Sequence, residues 1–238
     1  NDKKISLILS SRLSSEILER NVDQFIVDSF DSQTNWKDAL DGVDTVIHLA
    51  GLAHNKAFNT RSYSQYLRKI NVEAVANLAS QAVDAGVKKF IFLSSIKVNG
   101  EETLNNRPFK ADDDPNPQDI YGKSKLEAER IVSKLKNYLI IRTSFFSKKN
   151  WKYKEAFVDQ YTSKIEIRNL IFKINKVLFS KLTGIINISG KRQSLYEIAK
   201  KIDKKVKPIS LENYTKLSIP RDISLNNSKW DKLFNNKK

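Results

Sequence analysis

Tyr121 and Lys125 stand four residues apart in Tyr121-Gly122-Lys123-Ser124-Lys125, a spacing that puts both on one face of a helix, one turn apart. An ammonium beside a phenol favours the phenolate and is expected to lower its pKa, so that the phenol exchanges a proton near neutral pH. Upstream, Ser94-Ser95 closes the apolar run Phe90-Ile91-Phe92-Leu93, and a hydroxyl at that point is placed to hold the oxygen that receives the proton. The three side chains together suit hydride transfer to or from a carbon bearing oxygen. The plainer readings are an amphipathic helix start for Tyr121 and Lys125, and a strand-end serine satisfying a backbone group for Ser95.

Such chemistry needs a scaffold that brings a strand end to a helix start. Ile5 to Leu9, Phe25 to Val27, Val43 to Ala50, Lys89 to Leu93 and Tyr138 to Ile141 have the apolar density of buried strands. Trp36 to Leu40 reads as a brief helix stopped at Gly42. Arg61 to Ala85 carries Leu67, Ile70, Val75, Leu78, Ala82 and Val83 at near-helical spacing, ended by Gly86. The loop from Asn99 is rich in acids and prolines at 112–117, and the Tyr121 helix runs on to about Lys136. Strands alternating with helices predict right-handed crossovers and a doubly wound parallel sheet. Ligands bind beyond the carboxyl ends of such strands, which places Gly51, Ser94, Ser95 and Thr143 on one rim. Further along, a Lys-studded helix is expected over Ile167 to Leu182, a strand over Gly184 to Ile188, and a helix opened by a Ser194–Glu197 capping box. The lysine-rich end from Asn226 to Lys238 is expected to fray.

Strand, helix, strand, loop and helix carrying Ser95, Tyr121 and Lys125 in that order resemble the extended short-chain dehydrogenase/reductases, and more narrowly their nucleotide-sugar epimerase, dehydratase and reductase group. The resemblance runs from Ile5 to about Phe146. It implies an α/β fold with a Rossmann-like NAD(P)-binding domain over residues 1–146, and a small C-terminal α/β substrate lobe over 147–238. It implies Tyr121 as the catalytic acid/base, Lys125 as the residue that holds the nicotinamide ribose and tunes Tyr121, and Ser95 as hydrogen-bond partner of the reacting oxygen. Ser94 is the competing serine, beside the cofactor. Leu49, Ala50 and Gly51 match the strand end that passes under the cofactor. Asn71 matches a helix asparagine near the site, with helix-to-loop bonding as the plainer reading. Asp28-Ser29-Phe30 stand where relatives carry Gly-Asp-hydrophobic against adenine, with Ser29 in place of the usual acid. Arg12, just past the first strand of this chain with no acid at its tip, leans towards a cofactor bearing a 2′-phosphate. Ser95, Ile96, Lys97, Tyr121 and Ser144 would meet the substrate. NADP or NAD is the expected cofactor.

The segments Ala156 to Ser163, Leu182 to Ile188 and Pro220 to Leu225 are similar to the substrate lobe of sugar-nucleotide 4-keto reductases. Ser95 to Glu101 and Thr34-Asn35-Trp36 instead resemble reductases and epimerases acting on UDP-N-acetylhexosamines. The expected reaction is reduction of a 4-keto group on a nucleotide-activated sugar. A 4-epimerase, and a non-catalytic dinucleotide-binding relative, are the alternatives.

One element of that family pattern is missing. Of the seven glycines the first is Gly42, so nothing forms the glycine-rich turn that lets a backbone approach a pyrophosphate. Ile5 to Leu9 then corresponds to the second strand of the fold. The absent strand would lie centrally, and its loss predicts exposed apolar edges. With no methionine at position 1, a fragment is the simplest reading and a natural degenerate protein the other.

Composition narrows the rest. The formal charge of +15 invites a nucleic-acid reading, but only ten of the 42 basic residues are Arg, the residue that phosphate and base recognition favours. Nucleic acid is therefore not an expected partner; the resemblance implies a nucleotide sugar, with a homodimer as the assembly to test. The absence of cysteine excludes disulfides and thiolate chemistry. His48 and His54 are too few and too poorly spaced for a metal site, and His48 reads as a packed core residue. No apolar run approaches membrane-spanning length, and a cytoplasmic location is the default expectation.

Overall fold

The computed structural model describes residues 5–13, 22–52, 61–103, 107–147, 151–213 and 219–234; His54 and residues 148–150, just past the expected domain boundary at 146/147, lie outside them. In chain order, β1 (Leu7–Ser11) and β2 (Val22–Ile26) precede the short α1 (Lys37–Leu40) and β3 (Thr45–His48). One long helix follows, made of α2 (Arg61–Arg68), a π-helical turn (Lys69–Glu73) and α3 (Ala74–Asp84). Then come β4 (Lys89–Leu93), a 3₁₀ turn (Ile96–Val98), α4 (Ile120–Val132), β5 (Tyr138–Arg142) and the short strands β6 (Phe145–Phe146), β7 (Glu155–Phe157), β8 (Tyr161–Thr162) and β9 (Ile165–Glu166). The chain ends through α5 (Ile167–Leu178), β10 (Gly184–Asn187), β11 (Gln193–Ser194), α6 (Leu195–Ile202), β12 (Lys207–Ile209), β13 (Asp222–Ile223) and α7 (Ser228–Phe234).

The central sheet has the order β10-β5-β4-β3, all parallel. The middle of each strand is apolar because both faces are covered, and alternation sends neighbouring residues to opposite cores. Phe90, Phe92 and Ile140 pack against Val75, Leu78 and Ala79 of α3 and Ala128 and Val132 of α4. Ile91, Leu139, Ile141 and Ile186 pack on the other face against Leu170 and Val177 of α5 and Trp230 of α7. Full burial of each large aliphatic side chain contributes roughly 1.5–3 kcal/mol, so these two layers fix the sheet. Gly86, at φ +73°, turns the chain out of α3, with Val87 N donating back to Ala82 O at 2.9 Å, the left-handed helix stop that favours glycine.

Several expectations are refined. The helix expected to run to Leu182 stops at Leu178, because the Lys89 ammonium donates to Val177 O (2.9 Å) and Ser180 O (2.7 Å) and satisfies the carbonyls a continued helix would have used. Of the end expected to fray, Ser228–Phe234 instead forms α7, and residues 235–238 lie outside the described residues. Trp230 is buried there and stacks on Phe234 at 4.3 Å, while Asn227 bonds both the amide and the carbonyl of Ser189. The Ser194 capping box forms as expected, with Ser194 N on Glu197 Oε2 at 2.6 Å and Glu197 N on Ser194 Oγ at 3.1 Å. β10 comes from beyond residue 146 yet joins the sheet, and α5 and α7 cover its face, so the two parts of the chain share a core. β7, β8, β11, β12 and β13 form separate small sheets, with α6 against β7 and β11.

β1 and β2 form their own parallel pair and are not hydrogen-bonded to the four-stranded sheet. Leu7 on β1, Ile26 on β2 and Leu49 just past β3 are 51%, 46% and 60% exposed, in keeping with the open apolar edges expected from the sequence. The pair is joined to the rest through Phe25, Val27 and Phe30, which pack into the α3–α4 side of the core.

Candidate active site

The parallel strands β3, β4 and β5 end on one edge, where Ser94 N donates to Ile141 O (2.8 Å) and Ile96 N to Thr143 O (3.0 Å). Ser95 caps the 3₁₀ turn, its hydroxyl accepting from Lys97 N at 3.2 Å. Helix α4 begins opposite, capped by Asp119, whose carboxylate accepts from Gly122 N at 2.7 Å. A Cβ at residue 122 would run into the Lys97 carbonyl and lie 3.0 Å from Pro117 Cβ. Glycine at this position thus lets the helix start press against the turn. That approach brings Tyr121 to Ser95, and their side-chain oxygens are hydrogen-bonded.

The electrostatics differ from the expectation drawn from spacing alone. The Tyr121 phenol is pushed up, not down: burial is the main cause, Ser95 opposes it, and the Asp119 charge adds to it. Lys125 faces the Phe92 ring. Its ammonium lies 4.0 Å from the centroid of the Phe92 ring, a cation–π contact, one turn below Tyr121. Burial pushes the Lys125 pKa down to about 7, with the Glu129 carboxylate opposing. Among the described residues its ammonium has no hydrogen-bond acceptor, so its donors are available to a bound hydroxyl.

Beneath the rim sits a buried polar cluster. Glu129 accepts from Ser94 Oγ at 2.5 Å and from Arg142 Nε and Nη2, and Arg142 Nη1 reaches Asn99 Oδ1 at 2.7 Å. With Glu129 and Arg142 almost fully buried, removing either partner leaves an uncompensated charge, at a cost of about 3–5 kcal/mol. The cluster takes up the Ser94 hydroxyl and leaves Ser95 as the serine facing Tyr121. Asn71, in the π-helical turn, accepts from Leu52 N (2.8 Å) and donates to Leu52 O and Ser124 Oγ. It thereby staples the chain after β3 to α4, the helix-to-loop role weighed for it above. π-turns inside helices recur at functional sites. Gly51 lies under the same asparagine, where a Cβ would come within 3.1 Å of Asn71 Oδ1.

The other expected residues fall in different places. Leu49, Ala50 and Gly51 are exposed at the open end of β3. Ile96 is buried, and Lys97 is turned to Asp119 at 3.5 Å. Ser144 O accepts from Ile165 N at 2.9 Å, so Ser144 lies on the rim. Arg12 and Ser29 are exposed on the β1–β2 side. Phe30 is engaged in packing, stacked on His48 at 5.3 Å and edge-on to Trp36 at 5.7 Å. His48 stacks in turn on Phe92 at 5.7 Å, a core residue as expected, its pKa pushed down to about 3 by burial and by the Lys125 charge. Among the described residues no cluster of three His, Cys, Asp or Glu could hold a metal ion, and no helix is long and apolar enough to cross a membrane.

Sequence reasoning missed Asp119, Gly122, Ser124, Glu129 and Arg142. Signals were available: an Asp three residues before the Gly it caps, a Glu four residues after Lys125 on the same helix face, and an Arg ending an otherwise apolar strand.

A parallel sheet with Ser95, Tyr121 and Lys125 gathered at its carboxyl rim defines a protein of the short-chain dehydrogenase/reductase type. Residues 19–176 match the RmlD substrate binding domain, and the chain belongs to that family. It is 43% identical over 106 residues to a UDP-glucose 4-epimerase of Vibrio cholerae, a match covering 44% of this chain and 32% of that protein; the chain thus aligns with about a third of that relative's length. Its fold is similar to dTDP-4-dehydrorhamnose reductase from Bacillus anthracis in complex with NADP (TM-score 0.73, 22% identity, 96% of this chain and 92% of that one). It is also similar to UDP-glucuronic acid 4-epimerase from Bacillus cereus in complex with NAD (TM-score 0.70, 20% identity, 90% and 75%).

Proposed function

We propose that this chain carries the catalytic residues of an NAD(P)-dependent oxidoreductase acting on a nucleotide-activated sugar, with reduction of a 4-keto group as its reaction. The observation that carries the reading is the Ser95–Tyr121 hydrogen bond at the carboxyl rim, with the Lys125 ammonium one turn below and open to a further acceptor. A nicotinamide dinucleotide supplies hydride when bound. Lys125 suits a ribose hydroxyl, and the exposed strand end at Leu49, Ala50 and Gly51 suits its passage. Tyr121 donates its proton to the substrate oxygen, while Ser95 hydrogen-bonds that oxygen and orients it. The phenol is protonated at neutral pH, the form that reduction uses. The C-terminal strands and α6 serve as the substrate lobe.

The second reading is a 4-epimerase, supported by the match to the Vibrio cholerae relative. There the same tyrosine removes and returns the proton, with no net consumption of cofactor.

The test is a titration with NADPH and NADH, following energy transfer from the three tryptophans, then turnover of 4-keto nucleotide sugars by wild type and Tyr121→Phe. Saturable binding with turnover reduced about 10²- to 10⁴-fold in the variant is the expected result. Unchanged turnover in Tyr121→Phe would remove the tyrosine from the mechanism. Tight NAD retained through turnover, with C4 inverted, would select the epimerase.

A further inference from the structure

We propose that Lys164 is an anion-binding residue of the substrate pocket and takes a phosphate oxygen of a nucleoside-diphosphate sugar; this rests on the nucleotide-sugar reading above. The placement comes from backbone bonds along the rim. Ile96 N, next to Ser95, bonds Thr143 O, and Ile165 N, next to Lys164, bonds Ser144 O. Each step crosses one strand spacing, so Lys164 lies about 10 Å from Ser95, on the side away from β3. That interval leaves room for a sugar ring between the reacting oxygen and a phosphate.

The segment is firmly held. Gly190 N donates to Ser163 O at 2.8 Å, and a Cβ at residue 190 would come within 2.7 Å of Lys164 O. Ser163 Oγ accepts from Leu225 N at 2.7 Å, and Ile165 is buried in the core. Lys164 therefore projects from an anchored strap between two short strands.

Its ammonium has nothing to pair with. Lys164 is half-buried, and among the described residues it has no carboxylate and no hydrogen-bond acceptor. Three other cations near the rim and the lobe do have partners: Arg142 pairs with Glu129, Lys97 with Asp119 and Arg192 with Asp222, while the Lys125 ammonium faces the Phe92 ring. Burial lowers the Lys164 pKa with no acid to restore it. Nearby, the Thr162 and Thr143 hydroxyls are buried without a partner. A part-buried cation left uncompensated is costly, and a phosphate oxygen would satisfy it with a charge-assisted hydrogen bond.

The experiment is calorimetric titration of wild type, Lys164→Gln, Lys164→Met and Lys164→Arg with UDP and dTDP, and with uridine and thymidine as controls. Wild type is expected to bind a diphosphate about tenfold or more tightly than its nucleoside. Lys164→Gln and Lys164→Met lose most of that ratio with nucleoside binding unchanged, and Lys164→Arg keeps it. Removing a part-buried unpaired charge leaves the thermal midpoint of the Met variant at or above that of wild type. A ratio unchanged in both the Gln and Met variants overturns the role of Lys164 and leaves the nucleotide-sugar reading standing. Failure of the folded wild-type chain to bind any of the four ligands overturns both.

Discussion

At the scale of single residues, burial decides more than spacing. Tyr121 and Lys125 both sit where the charged form of each is penalised, so the pair rests as a protonated phenol above an ammonium that titrates close to neutrality. His48 shows the same effect in the core, stacked with Phe30 and Phe92 and held neutral with a pKa of about 3, against 6.5 when exposed. Between those values the unfolded chain binds a proton that the folded chain does not, so stability falls as pH falls from 6.5 towards 3. At about pH 4.5 this site alone is expected to cost about 2–3 kcal/mol. Urea midpoints of wild type and His48→Phe at pH 7 and 4.5 measure it. The variant should lose less stability on acidification; an equal loss would show that His48 is not the buried titrating group.

At the scale of elements, the site depends on how closely the start of α4 approaches the turn after β4. In an exposed helix, replacing glycine with alanine gains about 1 kcal/mol. At Gly122 the new methyl meets the backbone carbonyl of Lys97, which cannot swing aside as a side chain would. Overpacking should win, and Gly122→Ala is expected to be destabilised by about 1–3 kcal/mol and to lose turnover through separation of Tyr121 from Ser95. Thermal unfolding gives the sign directly: a stabilised variant would mean that the close approach is not needed. Asn71 and Ser124 work at the same scale, tying the end of β3 to α4 through one amide and one hydroxyl, so that three strand ends and one helix hold a common geometry.

Across the whole molecule, the four-stranded sheet is covered on both faces while the β1–β2 pair stands apart with exposed apolar edges. Local opening should therefore be uneven. Amides of β4 and β5 are expected to exchange only through global unfolding, and those of β1 and β2 with a protection free energy lower by at least about 2 kcal/mol. Native-state hydrogen exchange reads this by element. Equal protection in both sets would show that the pair is bound to the sheet as one cooperative unit.

The sequence by itself determined the strand–helix alternation, the two-faced burial of β4 and β5, the capping box at Ser194, and the positions of Ser95 past a strand end and of Tyr121 and Lys125 one turn apart on a helix. All of these depend on local periodicity or short spacing, which a linear pattern records. Only the tertiary structure decided that Ser94 belongs to Glu129 and Arg142, that Phe30 packs on His48 instead of standing free, that the chain's end folds on Trp230, and that the Tyr121 pKa rises. Those outcomes come from desolvation and from partners 13 to 44 residues away. Neither quantity is carried by a residue's neighbours along the chain: burial is a property of the packed whole, and electrostatic sign follows burial before it follows spacing.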